Sequence, residues 1–398
     1  MQTHYDIVVI GGGPVGLSFA CSLLETNIKV LLVEKSSLET IARPQPDGRE
    51  IALTHLSINI LKQIGVWDLL DHTQVSALKH AKVFDGDSPS LLNFSPHKSI
   101  DALGYLIANV QIRQALYTRL STADNIEIIT STAVDDVVSQ ATGSQVVLDN
   151  GSTVTTRLVI AADSRFSNIR RQMGIPSLMK DFSKVMIVAK MQHELPHDNA
   201  ALEYFDYGKT LALLPMVGNA SSVVLTVKTN QSQAVLDMDE AGFNAFITDA
   251  FKGQFGAMQQ VGERHAYPLV AVHAQRFIGK RFALIGDAAV GMHPVTAHGF
   301  NLGLRGQDIL ATLIKKAHRF GEDIGSNILL NDFEKRHIHL TRLMFFGTNG
   351  IVALFTNDAP VIKPVRKMVL KLAEHFPPIK ALISHHLSAS KQPKFLPF

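Results

Sequence analysis

Cysteine is nearly absent. Cys21 is the single one in 398 residues, which excludes an intramolecular disulfide framework and fits a reducing compartment. It falls within an apolar helical pattern, where a thiol packs rather than attacks. Charge is sparse too: 18% of residues are charged and 46% hydrophobic, too apolar for a disordered chain and enough to bury a sizeable core. No uninterrupted apolar run reaches the length of a membrane span. The 17 histidines form no H-E-x-x-H, and no C-x-x-C exists, so no metal site is expected. No serine sits in G-x-S-x-G, which removes support for hydrolase chemistry. No patterned basic and aromatic surface points to nucleic acid. Internal repeats and long low-complexity segments are also missing.

The first residues, "MQTHYDIVVIGGGPVGLSFACSLL", lack a basic n-region, and Asp6 and a glycine cluster break their apolar stretch. They read as a first strand and helix rather than a signal peptide, so the expected location is cytoplasmic. Net charge is mild at +3, but it is unevenly spread. Val361–Phe398 sets seven basic residues, among them Lys363, Arg366, Lys367 and Lys371, against Glu374 alone. Pro377-Pro378 splits this tail into two short amphipathic helices, which suits docking at the inner face of an anionic membrane or on a protein partner. Packing of the same apolar face on the body of the protein is the alternative.

"YDIVVI" predicts a strand buried on both faces of a parallel sheet. "GGGPVG" follows, then Leu17, Ala20 and Leu24 on one helical face with Asn27 as a stop, then the strand "KVLLVE". Gly11, Gly13 and Gly16 hold G-x-G-x-x-G spacing between that strand and helix. The three glycines permit a tight turn, backbone approach to a pyrophosphate, and close packing of helix on strand. The helix N-terminus offers free N–H groups to phosphate. Glu34 closes the second strand, where an acid accepts from a ribose 2′-hydroxyl and favours FAD or NAD over NADP. A second complete fingerprint is missing, which argues against separate FAD and NAD domains.

Further on, a helix is expected from about Leu53, and another carries Ile112, Ala115, Leu116 and Leu120 on one side. A strand ends in Ala161-Ala162-Asp163 before a polar turn and a basic helix. Residues 181–227 read as short strands of an antiparallel sheet. "RFALIGDAA" is a buried strand ending at Asp287, and the chain is mainly helical from Gly299. The small residues of "GDAAVGMHPVTAHGFNLGL" suggest that a ligand lies against that backbone.

Three motifs thus stand in order: "GGGPVG" with Glu34, "AADSRFSNIRRQ", and "GDAAVGMHPVTAHGFNLGL". Together they resemble the single-component flavin monooxygenases of the p-hydroxybenzoate hydroxylase type, over nearly the whole chain. "DGREIAL" and the length look most like the branch that hydroxylates ubiquinone precursors, the UbiH/UbiF/UbiI group, and within it the UbiM type. The resemblance implies an α/β fold. An FAD-binding Rossmann-like domain would come from residues 1–80, 101–180 and 276–325. An inserted antiparallel-sheet substrate domain would use 81–100 and 181–275, with a helical region over 326–398.

The resemblance also implies a cofactor set. Asp287 would bind ribityl or ribose hydroxyls of FAD. After Pro294, the backbone N–H groups of Gly299, Phe300 and Asn301 would face the flavin pyrimidine edge, where negative charge develops on reduction. Arg49, Gln111, Arg113 and Asp163 match segments that touch FAD, and Pro14, Val15 and Lys35 flank the two nucleotide motifs. Three positions depart from the pattern: Asp163-Ser164 replaces Asp-Gly, Val290 replaces a histidine, and His298, after Ala297, replaces a glutamine. The first bears on NAD(P)H use. The last would tune the flavin potential without carrying the chemistry.

The implied activity is NAD(P)H- and FAD-dependent hydroxylation of a polyprenylated phenol or quinol through a C4a-hydroperoxyflavin, at C5 of the ring as the leading choice. Another ring position, a soluble phenol, or a non-catalytic flavoprotein subunit of a ubiquinone-synthesis complex are the rivals. A flavin halogenase is excluded, because its W-x-W-x-I-P signature cannot be built around Trp67 alone. No general base can be named from the sequence.

Overall fold

A computed structural model describes residues 3–85, 92–96, 100–206, 209–294 and 298–356. The basic tail and Ala297 therefore lie outside the described residues.

The chain opens with β1 (His4–Ile10), α1 (Pro14–Cys21) and β2 (Val30–Val33). Tyr5 and Ile7–Val9 are all shielded from solvent, as a strand covered on both faces requires. α1 is shorter than its apolar pattern suggests. It stops at Cys21, and Leu24 and Asn27 lie in the turn beyond it. Asn125 fixes that turn: its Nδ2 donates to the carbonyls of Leu23, Thr26 and Ile28 at 3.0–3.1 Å. Cys21 is buried, its thiol pushed up to about 12 by that burial, so it is inert packing.

β1 and β2 join β8 (Ile126–Ile129), β11 (Thr153–Ala161) and β18 (Phe282–Leu284) in parallel pairs, in the order β18-β11-β1-β2-β8. Antiparallel additions come from β9 (Val134–Ser139) and β10 (Ser144–Leu148), joined through β11, and from β17 (Ile278–Gly279), joined through β18. β18 ends at Leu284, three residues before Asp287, which sits in a 3-10 turn over Gly286–Ala288. The apolar run Phe282–Ile285 continues one residue past the strand, and the turn follows it without a break of loop residues.

A three-stranded sheet is made by β3 (Glu50–Leu53), β4 (Ser76–Leu78) and β7 (Gly104–Ala108). Around these sheets lie α2 (Leu38–Ala42), α3 (His55–Gln63), α4 (Asn109–Leu120) and α5 (Asn168–Gln172). α3 starts at His55 because the Thr54 side chain caps Ser57 N, two residues after the start expected at Leu53.

The third sheet has eight strands. It contains β5 (His80–Asp85), β6 (Leu92–Phe94), β12 (Ser177–His193), β13 (Ala200–Asp206), β14 (Lys209–Pro215), β15 (Ala220–Lys228), β16 (Met258–Ala274) and β19 (Val290–Gly291). Two of its strands, β12 and β16, run for 17 residues each, so they are not the short strands expected. It is not wholly antiparallel either, because β5 pairs with β13 in parallel. One face is covered by α6 (Thr229–Leu236) and α7 (Glu240–Ala250), through Phe243, Ile247 and Phe251 against Leu202, Leu213 and Leu225. The other face turns toward the nucleotide-binding sheet.

Two long helices complete the described chain, α8 (Gly299–Arg319) and α9 (Asn327–Thr356). Asn327–Phe355 has the length and mean hydropathy (1.3) of a membrane span. Yet Phe333, Ile338 and Phe345 pack into the main core, and Glu334 accepts from Phe277 N. Gly306 of α8 leaves room for the buried His337 ring of α9, whose Nδ1 accepts from Arg305 at 2.9 Å. Burial, with Arg305 beside it, pushes His337 down to about 3, so it stays neutral and free to accept.

Replacing Asn125 tests how the end of α1 is held. Asn125→Ala is expected to cost about 1–3 kcal/mol by leaving three carbonyls unpaired. Asn125→Asp should cost more, since a carboxylate cannot donate to them. Chemical denaturation of both variants measures this, and equal stability of Asn125→Asp and wild type would contradict it.

Candidate functional site

The parallel strands β1 and β11 end side by side, and the glycine turn rises from that edge. Gly11 has φ +110°, and a Cβ there would sit 2.6 Å from Ala162 O. Gly13 faces open space, with nothing within 4 Å of an added Cβ. It also caps α1 without any side-chain hydrogen bond. Glu34 does not stand apart from this turn. Its carboxylate accepts from Gly12 N at 2.6 Å and Ser36 N at 2.8 Å, which locks the loop and leaves lone pairs for a ribose hydroxyl. Lys35 is exposed beside it.

The third motif packs directly on the first. Val15 lies against Gly286 and Gly303, where added Cβ atoms would come within 3.0 Å and 2.6 Å of its side chain. This corrects the reading of the small residues as room for a ligand. Gly286 and Gly303 are small because Val15 occupies their space, and only Gly299 in this motif faces the open. Gly299 opens α8 behind His298, and no side chain caps that terminus. The first intrahelical bond is Leu302 N to His298 O at 2.9 Å, so the N–H groups of Gly299, Phe300 and Asn301 precede it. The Asn301 side chain is committed elsewhere. It accepts from Thr54 N and Ser57 Oγ and donates to Ala52 O, tying α8 to the start of α3. Phe300 packs half-buried on the core, and Pro294 is exposed.

Asp287 differs from the buried hydrogen-bonding acid that the sequence suggests. Its side chain is 41% exposed and ion-paired to Arg165 at 2.8 Å. Arg165 also donates to Val270 O at 2.9 Å, and so ties the turn to β16. Arg170, fully buried, donates to Ala288 O and Arg165 O. Neither arginine was singled out from the sequence, although both stand in "AADSRFSNIRRQ". Their role depends on contacts across about 120 residues, which no local pattern reveals. Asp163 sits beside Gly11 with Oδ1 buried and unpartnered. Burial raises its carboxyl above the usual range, against the Ser167 hydroxyl and the Arg170 charge.

Arg49 forms an ion pair with Asp47 at 2.5 Å and lies 5.2 Å from the centre of the Tyr267 ring. Tyr267 OH donates to Asp47 O, and Asn109 Nδ2 donates to its carboxylate. Burial pushes Asp47 up, but the bonds from Arg49 and Asn109 outweigh it and hold the carboxyl below its usual range. Arg49 also feels the charge of Asp287, and Tyr267 that of Arg113. Among the described residues the Arg113 side chain donates only to Thr40 O, at 3.5 Å. Gln111 buries Oε1 without a partner.

These features fit a dinucleotide. Two helix N-termini lack side-chain caps, Gly13 and Gly299 leave their approaches open, and Asp163 Oδ1 and Gln111 Oε1 are buried atoms that a ligand can satisfy. The fold and site define a nucleotide-binding protein of the Rossmann-like class. A family model described as an FAD binding domain matches residues 4–344, and the chain belongs to that family. FAD is thus the cofactor.

Among named relatives, the chain is 45% identical over 393 residues to "Ubiquinone hydroxylase UbiM" of Neisseria meningitidis serogroup C, covering 98% of this chain and 85% of that protein. It is 33% identical over 381 residues to "Ubiquinone hydroxylase UbiL" of Rhodospirillum rubrum, covering 96% and 89%. In fold it is similar to p-nitrophenol 4-monooxygenase PnpA from Pseudomonas putida, with TM-score 0.78, 17% identity and coverage of 97% and 98%.

A double-mutant cycle tests the seam between the motifs. Gly303→Ala should lower both the melting temperature and the flavin absorbance per chain, because its Cβ meets Val15. Adding Val15→Ala should restore a good part of both. Strictly additive losses would show that the two positions do not share this contact.

Proposed function

We propose that this chain is an FAD-dependent aromatic hydroxylase of ubiquinone synthesis, acting on a polyprenylated quinol or phenol. The 45% identity to a ubiquinone hydroxylase across 98% of the chain carries the reading, and the intact nucleotide site supports it. C5 of the ring is the proposed position and NAD(P)H the proposed electron donor.

FAD, when bound, supplies the redox and oxygen chemistry of ring hydroxylation. The protein's part is to hold and orient. Gly11, Gly13, Pro14, Val15 and Gly16 would present α1 to the phosphates, with Glu34 and Lys35 at the adenosine ribose. Gln111, Arg113 and Asp163 would satisfy their open polar atoms on the cofactor. Asp287, paired with Arg165, would accept from its hydroxyls. Arg49, oriented by Asp47 and Tyr267, would help hold the cofactor. Pro294, His298, Gly299, Phe300 and Asn301 would bring the α8 N-terminus to the flavin edge, where its partial positive charge favours developing negative charge. No base is required of the protein, since an oxygen substituent already activates the substrate ring.

Mass spectrometry of lipid extracts from cells lacking this protein tests the assignment. A prenylated precursor missing one ring oxygen should accumulate, and its structure names the position. An unchanged quinone pool would overturn the reading. Anaerobic addition of NADH or NADPH to the purified protein tests the donor, with bleaching of the flavin as the expected result.

A further inference from the structure

The face of the eight-stranded sheet away from α6 and α7 carries a carboxyl, that of Glu203, that no described residue answers. On β13, Leu202 and Tyr204 point toward α7, where Tyr204 meets Phe251. Glu203 therefore shares the opposite face with Phe205, whose ring lies tilted against Phe355 of α9 with centroids 4.5 Å apart. Its carboxyl group has no hydrogen bond or ion pair among the described residues. An unanswered carboxyl held largely out of water is costly, so its presence calls for an explanation.

Strand register shows what lies beside it. Glu203 is opposite Ala212, Ala212 is opposite Val224, and Val224 is opposite Val188. Val188 is in turn the residue beneath Gly48, next to Arg49. Three strand spacings, roughly 14 Å, separate the strand of Glu203 from that of Val188. The floor between them is Ala212 and Val224, small and without polar groups. Val224, Leu214 and Glu203 are each partly accessible, although they face the nucleotide-binding side. That face thus runs over Ala212 and Val224 from the Gly48–Arg49 turn at one end to Glu203 at the other.

We propose that the Glu203 carboxyl is the polar anchor for a ring oxygen of the aromatic substrate, which lies over Ala212 and Val224. The inference rests on the hydroxylase reading above and supplies a substrate-contacting residue for it. Burial alone pushes Glu203 up to about 8, so at neutral pH it is a protonated acid that both donates and accepts. Such a group matches a ring hydroxyl or methoxy oxygen, while the rest of the ring needs only apolar contact. Val83, Ala212, Leu354 and Phe355 beside it carry no titratable group, and strand register sets Asp85 of β5 opposite Phe205.

Steady-state turnover of the holoenzyme with a short-chain demethoxyubiquinol tests the proposal, with FAD content measured alongside. Glu203→Leu should lower kcat/KM by about tenfold or more and uncouple NAD(P)H oxidation from product. Glu203→Gln keeps a donor and an acceptor and should stay within about threefold of wild type on the same reasoning. The wild-type kcat/KM should also fall above about pH 8 as the acid ionises, and that of Glu203→Gln should not. The wild-type profile needs no variant to fold. A Glu203→Leu enzyme with full FAD, wild-type coupling and wild-type KM would overturn the anchor alone, as would a wild-type profile flat through pH 8. A wild-type enzyme that hydroxylates no quinol would overturn the hydroxylase reading, and this inference with it.

Discussion

Everything in the site depends on how closely α1 approaches the turn before α8. Val15 is seated between Gly286 and Gly303, and an added methyl at Gly303 would lie 2.6 Å from its side chain. This contact sets two uncapped helix N-termini toward the same region, although nearly 300 residues separate them in sequence. Arg165 and Arg170 hold the intervening turn from below by binding Asp287 and Ala288 O. The three sequence motifs are thus one mechanical unit, and a cofactor bound to it touches parts of the chain that are fixed relative to one another.

The second constraint is the placement of the eight-stranded sheet. Tyr267 OH reaches Asp47 O, and Ser222 Oγ reaches Gly48 O at 3.4 Å, so the sheet is tied to the loop that carries Arg49. Arg49 is held by an acid and an aromatic ring rather than by solvent alone. Substrate and cofactor can then meet across a boundary whose two sides are joined by hydrogen bonds. α9 closes the outer end through Phe355 on Phe205.

Much of this was legible in the sequence, and the limits have physical causes. β1, α1 and β2 announce themselves because a doubly covered strand is continuously apolar and a phosphate turn needs glycine. The position of Glu34 was readable, but its bond to Gly12 N was not, since spacing does not reveal which backbone group a carboxylate meets. Gly286 and Gly303 were visible as small residues, yet their cause was misread: an empty volume in sequence looks the same whether a ligand or Val15 fills it. The end of β18, the length of β12 and β16, and the parallel β5–β13 pair were missed because each is decided by partners distant in the chain. Glu203 gave no local signal at all. Only register shows that its side chain has left the helix-covered face of its strand.

An aromatic hydroxylase of this kind puts an oxygen atom from O₂ on the substrate ring. Turnover of a demethoxyubiquinol by the purified FAD-loaded protein under ¹⁸O₂ measures it directly. One heavy oxygen atom is expected in each product ring. Product whose new oxygen comes from water, or flavin oxidation with no hydroxylated product, would contradict it.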